Sequence, residues 1–364
     1  MTTAPAIPAD MSPSVAAQHR AMPFTRLADC GMDPADARQL LTATAAGDAW
    51  DRVATDIGEA QHRRSVQAEQ AGHRVTALEA ERFATAALLF AQMASNVDDH
   101  DKRSRYHRYV QSLRRVAELS NPAIERIEIP YDKGQLVGWL CLPAAGRADA
   151  TVAVWGGLSG WGGAYLPIAD ALTRRGLACL LAEGPGQGEA RLDHGCYIDE
   201  NVAAGFGSFV DAMMDDPRLG DRVGLQGNSF GGLFAARLAA GDPRIAACVV
   251  NGAPSTPFLP EYRSAREQIF AALGTHDEDK ARGVLRALAF DGSTHPVTAP
   301  LLVLHGGSDR LVTEAEQRAF LRGANPATSQ IRVWPDGEHT LYNHAAGRNA
   351  LTADWFADHL LLPH

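Results

Sequence analysis

Cysteine is scarce in this chain: 5 in 364 residues. Cys30, Cys141, Cys179, Cys196 and Cys248 are scattered, odd in number and form no C-x-x-C pair. That argues against a disulfide framework and suits a reducing cytosol. Basic residues are outnumbered, with Lys+Arg 34 against Asp+Glu 43 and a net charge of −9. Nucleic acid or an anionic membrane is therefore disfavoured as the main partner. The densest basic stretch, Arg103, Arg105, Arg108, Arg114 and Arg115, reads as a solvated helix face. No apolar run is long enough to span a membrane. Residues 1–22 hold no continuous apolar core of the signal-peptide kind, so a cytoplasmic protein is expected.

The content that remains is ample for folding. Hydrophobic residues make up 46% of the chain, enough for one large domain and a smaller one. Residues 1–20, rich in Ala, Pro and Ser, read as a disordered arm. A helical domain is expected over residues 21–122. Asp33-Pro34 is a helix start, Asp as cap and Pro in the first turn. Phe83, Ala87, Phe90, Ala94 and Val97 share one helix face, and Tyr106, Tyr109, Val110, Leu113 and Val116 another. These stripes fit core or homodimer packing. Asp98, Asp99, His100 and Asp101 point in different directions if helical, so they read as an interhelical turn and no metal site is expected.

From residue 123 the pattern changes. Ile127 and Ile129 alternate with Arg126 and Glu128, and Asp132-Lys133-Gly134 turns the chain back, giving a hairpin. Strands and helices then alternate to residue 364, which implies a mainly parallel sheet with helices on both faces. Residues 253–298 interrupt the alternation as a long, partly helical insertion, of a length that usually carries function.

Gly227-Asn228-Ser229-Phe230-Gly231 lies between an apolar run and a helical pattern. G-x-S-x-G in that place is the tight turn that lifts a serine hydroxyl clear of a sheet. Leu301–Leu304 is an unbroken apolar run, as a buried parallel strand requires, and Asp309 follows it. Ile331-Arg332-Val333-Trp334 is the last strand, and its loop carries His339. The order Ser229, Asp309, His339 is that of the α/β-hydrolases. An oxyanion hole is expected from the N–H of Phe230 with that of Gly157 or Leu158, in the glycine-rich turn after residues 150–155.

Taken together, these motifs resemble a family. The turn Gly156-Gly157-Leu158 and the run Gly184-Pro185-Gly186-Gln187-Gly188-Glu189 join the Ser229 elbow, Leu304–Asp309 and Gly337-Glu338-His339. The set is similar to the α/β-hydrolases typified by 2,6-dihydroxypseudooxynicotine hydrolase, to fermentation-respiration switch-type esterases and to fungal polyketide chain-shortening hydrolases. The resemblance implies an α/β-hydrolase sheet with an N-terminal helical domain and a helical insertion over the active site. It implies that the triad falls on Ser229, Asp309 and His339, with no cofactor and no metal. A family carboxylate in the insertion aligns loosely with Glu261. Two departures stand out. The family's acidic and basic groups after Gly-Leu are replaced by Ser159-Gly160-Trp161, and its usual Asp before Gly-Pro-Gly is Glu183. Trp161, Glu261 and Tyr262 are accordingly the candidate substrate-binding residues.

The expected reaction is hydrolysis of an ester, or of the C–C bond of a 1,3-dicarbonyl compound of secondary-metabolite type, through an acyl-serine. The helical domain is expected to close the acyl pocket against the insertion. An acyl-eliminating lyase acting on a polyketide ester and a non-catalytic ligand receptor on the same fold are the rival readings. The expected partner is a small-molecule substrate, and a homodimer is compatible with the stripes. The run 184–189 reads as packing near the site.

Overall fold

The computed structural model describes residues 13–132 and 134–361, in two compact units, 1–124 and 125–364. Among its described residues the first unit is built of helices: α1 Pro13–Ala21, α2 Phe24–Asp29, α3 Pro34–Ala45, α4 Trp50–Gln70, α5 Arg74–Gln92 and α6 His100–Leu119. Asp33 caps α3, its carboxylate accepting from Ala35 N at 2.8 Å and Asp36 N at 3.3 Å, with Pro34 as the first helical residue. Such a cap satisfies backbone donors that no helical carbonyl can reach.

Helix α5 packs along both α4 and α6. Between them lies a buried carboxylate, Glu81, which accepts from Ser112 Oγ at 2.6 Å and sits 3.0 Å from His62 Nδ1. A buried carboxyl group in that position needs the hydrogen-bond partners that converge on it.

Two expectations need correction here. The arm was expected to run to residue 20, yet residues 13–21 form α1. Residues 1–12 lie outside the described residues. The helix is ordered by His19, which meets Thr44 Oγ1 at 2.8 Å and sets its ring edge-on to Trp50. The first stripe also overruns its helix. Helix α5 ends at Gln92, so Val97 is not on its face and stands exposed. Asp99 instead caps α6 by accepting from Lys102 N.

The second unit is built on an eight-stranded sheet. The strands are β1 Glu125–Tyr131, β2 Gly134–Cys141, β3 Ala148–Trp155, β4 Ala178–Glu183, β5 Leu219–Asn228, β6 Ile245–Asn251, β7 Leu301–Gly306 and β8 Gln330–Trp334. Their order is β1-β2-β4-β3-β5-β6-β7-β8. β1 and β2 are antiparallel, as are β2 and β4; every later pairing is parallel. Lys133, at the centre of the expected hairpin turn, is outside the described residues. Strands β4 and β7 are buried along their whole length, which is why they read as unbroken apolar runs.

Helices α9 Val202–Asp215 and α10 Phe230–Gly241 pack together against the sheet, as do α7 Leu166–Thr173 and α14 Ala345–Leu360. The two pairs lie on opposite faces. A Cβ on Gly224 would meet Phe356 of α14, whereas the adjacent Leu225 belongs to the cluster that includes Phe234 of α10. Successive strand residues point to opposite sides. Two short helices, α8 Gly188–Leu192 and α13 Glu314–Ala319, lie in the loops after β4 and β7, and the insertion carries two more, α11 Arg263–Leu273 and α12 Glu278–Leu288. Gln317 ties its base to the body by donating to the Ala253 carbonyl.

Under α9 and α10 the core centres on Phe206. Its ring lies 4.5 Å from that of Trp155 and 5.5 Å from that of Phe234, and all three are buried. Phe206→Ala should cost about 3–5 kcal/mol of stability, the usual range for emptying an aromatic core site. Urea unfolding of the variant beside wild type measures it. A loss under about 1 kcal/mol would show that this core collapses readily around the gap.

Candidate active site

Strand β5 ends at Asn228, and the next residue, Ser229, has φ 55° and ψ −132° before α10 begins. A non-glycine residue in that conformation is strained, and its surroundings must hold it there. Here they do so sterically. A Cβ on Gly227 would overlap the Gly231 carbonyl, and one on Gly231 would overlap the Gly156 carbonyl. Only glycine lets the strand, the helix and the β3 loop pass so closely. Ser229 N donates to Asn251 O at 2.8 Å, and Trp155 Nε1 donates to Gly231 O at 2.8 Å.

Asp309 follows β7 and His339 follows β8. Ser229 Oγ lies 3.1 Å from His339 Nε2, and His339 Nδ1 lies 2.8 Å from Asp309 Oδ2. Asp309 has no exposed side-chain surface, while His339 keeps 15% of its own. The other carboxylate oxygen, Oδ1, accepts from Leu311 N at 2.8 Å and Val312 N at 3.2 Å. Burial pushes the Asp309 pKa up, but the His339 bond and charge and the two backbone N–H groups outweigh it, and the group sits below its ordinary value. An ionised Asp309 accepts only, so Nδ1 carries the ring proton and Nε2 presents a lone pair to the serine. An imidazole between a hydroxyl and a buried carboxylate is the array that activates a hydroxyl for attack on a carbonyl.

A buried polar lattice supports these groups from behind. Thr340 and Leu341, just after His339, have φ 52° and 64°. Asn251 Nδ2 donates to Thr340 O at 3.0 Å and to Asn228 Oδ1 at 2.8 Å, and Arg348 Nη1 donates to Thr340 O at 2.9 Å. The residue before the serine and the residue after the histidine are thus tied through one side chain. No motif in the sequence points to Asn251 or Arg348.

Gly157 lies against the serine turn: a Cβ there would meet Phe230 N at 2.8 Å and Ser229 Cβ at 3.0 Å. Gly157 and Phe230 therefore meet at the elbow, and Leu158 is the next residue of that loop. Trp161 is buried, with the Arg191 guanidinium 5.9 Å from its ring centre. Glu261 and Tyr262 are exposed just ahead of α11. Glu183 accepts from Gly162 N at 2.7 Å, so this carboxylate braces the turn after Trp161.

Comparison with known proteins agrees with this architecture. Residues 283–345 match the model of the serine aminopeptidase S33 family, a stretch that holds Asp309 and His339. The chain is 25% identical over 338 residues to 2,6-dihydropseudooxynicotine hydrolase of Paenarthrobacter nicotinovorans, covering 86% of this chain and 84% of that one. The crystal structure of 2,6-dihydroxy-pseudo-oxynicotine hydrolase superposes with a TM-score of 0.81 at 22% identity, over 93% of this chain and 96% of that one. The chain has the α/β-hydrolase fold. It is also 29% identical over 245 residues to the α/β-hydrolase ucsC of an Acremonium species, covering 60% of this chain but only 50% of that relative. Among the described residues, no helix is long and apolar enough to cross a membrane.

One histidine of the β7 motif plays no part in the serine contact. His305 is 4% exposed, and burial lowers its pKa although the charges of Asp309 and Glu314 act the other way. A folded pKa below the unfolded value of about 6.5 means stability that is complete above that value and lost as pH falls through the folded pKa. His19, also lowered by burial, acts in the same sense. The melting temperature should therefore fall between pH 7.5 and pH 5, and less steeply in His305→Asn. An acid-induced fall as large in the variant as in wild type would clear His305 of this role.

Proposed function

We propose that this α/β-hydrolase cleaves an ester, or the C–C bond of a 1,3-dicarbonyl compound, through an acyl-serine intermediate. The observation that carries the reading is the unbroken line from Ser229 Oγ through His339 to the buried Asp309 carboxylate. Ser229 Oγ attacks the substrate carbonyl while Nε2 of His339 takes its proton. The negative charge that develops on the carbonyl oxygen is received by the N–H of Phe230 and by that of Gly157 or Leu158. Collapse of the tetrahedral adduct breaks the C–O or C–C bond, and His339 returns its proton to the departing alkoxide or enolate. An enolate leaves far more readily than a simple carbanion, so one set of groups serves both bonds. Water, deprotonated by His339, then attacks the acyl-serine and releases the carboxylic acid and Ser229. Asp309 holds the imidazole tautomer and stabilises its charged form. The likeness to a protein named as a hydrolase of 2,6-dihydropseudooxynicotine supports a hydrolytic reaction on a small organic substrate, and the relative named as an α/β-hydrolase supports the same class of chemistry.

With 4-nitrophenyl acetate and a panel of 1,3-diketones as probes, Ser229→Ala should lose at least about 10³-fold in kcat while remaining folded, and Asp309→Asn about 10⁴-fold through the wrong imidazole tautomer. Near-normal turnover by a folded Ser229→Ala protein would sink the covalent mechanism. A single turnover in heavy-oxygen water of a substrate found in that screen should place one heavy oxygen in the released acid. An unlabelled acid accompanied by an alkene would instead establish elimination, with His339 acting as base.

A further inference from the structure

The run Gly184–Glu189 touches no reacting atom, yet one of its side chains reaches the loop that borders the serine. Gln187 is 1% exposed and fully engaged. Its Oε1 accepts from Gly184 N at 3.1 Å, and its Nε2 donates to Gly156 O at 2.6 Å and to Gly157 O at 2.9 Å. Both amide hydrogens are thus used on two successive carbonyls of the β3 loop. The peptide bonds there are trans, and a trans peptide points its N–H opposite to its C=O. Fixing the Gly156 carbonyl therefore aims the Gly157 N–H, and fixing the Gly157 carbonyl aims the Leu158 N–H. Both N–H groups point away from Gln187, in a loop whose Gly157 rests on Phe230 N and Ser229 Cβ.

A glycine makes room for this contact. A Cβ on Gly160 would meet Gln187 Nε2 at 2.7 Å and the Gly156 carbonyl carbon at 2.8 Å. Gly160 N also donates to Gly157 O at 3.1 Å, closing the turn. The loop is thus wound tightly around one amide.

We infer that Gln187 is a positioning residue for the oxyanion hole, aiming the second N–H donor at the oxygen that gains charge in the transition state. The inference rests on the acyl-serine reading. A donor aimed in advance stabilises the transition state without reorganising, and it acts little on the uncharged ground state. The effect should therefore appear in kcat, not in KM.

The test compares wild type, Gln187→Met, which keeps the length but removes both donors, and Gly160→Ala, which keeps Gln187 but puts a methyl group where its nitrogen sits. Labelling of wild type at Ser229 by a fluorophosphonate first checks the underlying reading. Thermal unfolding checks that each variant is folded. With 4-nitrophenyl acetate, kcat should fall about 10²-fold in both variants, the scale of one lost oxyanion donor, with KM within about threefold. Inhibition by an aryl trifluoromethyl ketone, which forms a charged tetrahedral adduct, should weaken in parallel. A folded Gln187→Met or Gly160→Ala enzyme with unchanged kcat overturns the inference. So does a fall in kcat that leaves trifluoromethyl ketone affinity intact. If wild type fails to label at Ser229, the acyl-serine reading itself falls and takes this inference with it. Labelled wild type with unaffected variants removes only the role of Gln187.

Discussion

Everything at the catalytic end of the sheet depends on three backbones passing within van der Waals contact. Strand β5, helix α10 and the loop after β3 meet at Gly227, Gly231 and Gly156, where any Cβ would strike a neighbouring carbonyl or, at Gly156, the Tyr165 hydroxyl. This crowding forces Ser229 into φ 55° and holds it there. The strain is local, and the buried core centred on Trp155, Phe206 and Phe234 sustains it. A larger residue at any of the three glycines would relax the turn and lower the serine out of reach of His339.

The second constraint is that three groups from three loops must agree to within a fraction of an ångström. The parallel strands β5, β7 and β8 deliver Ser229, Asp309 and His339 just beyond their carboxyl ends, on the same end of the sheet. Fine adjustment falls to buried amides. Asn251 bridges Asn228 and the Thr340 carbonyl, and Gln187 bridges the Gly156 and Gly157 carbonyls. Each is a neutral side chain whose amide nitrogen donates twice, so it adds rigidity without adding a buried charge.

The sequence made some of this legible and hid the rest for physical reasons. Steric demands leave marks: the glycines of the elbow are visible because no other residue fits, and β7 is visible because burial on both faces allows only apolar residues. The order of Ser229, Asp309 and His339 along the chain is readable because each stands one loop after a strand. The bridging amides are another matter. A hydrogen bond from Gln187 to carbonyls 30 and 31 residues away imposes no spacing that a reader can detect. The same holds for Asn251 and Arg348, which meet at a single carbonyl. The end of α5 was misjudged because apolar spacing continues to Val97 beyond the last helical hydrogen bonds. Helix α1 was missed because its order comes from a tertiary contact, His19 with Thr44, and not from its own composition.

One feature of Asp309 reaches beyond the geometry of the relay. Its charge is held by an imidazole and two backbone N–H groups at contact distance, with no side-chain surface open to water. Mobile counterions screen charges that face each other through solvent, over about 8–10 Å at ordinary ionic strength, and they do not enter such a nest. The relay is thus indifferent to salt. Any dependence of turnover on ionic strength belongs to the approach of substrate toward a chain of net charge −9, and so to capture rather than to bond breaking.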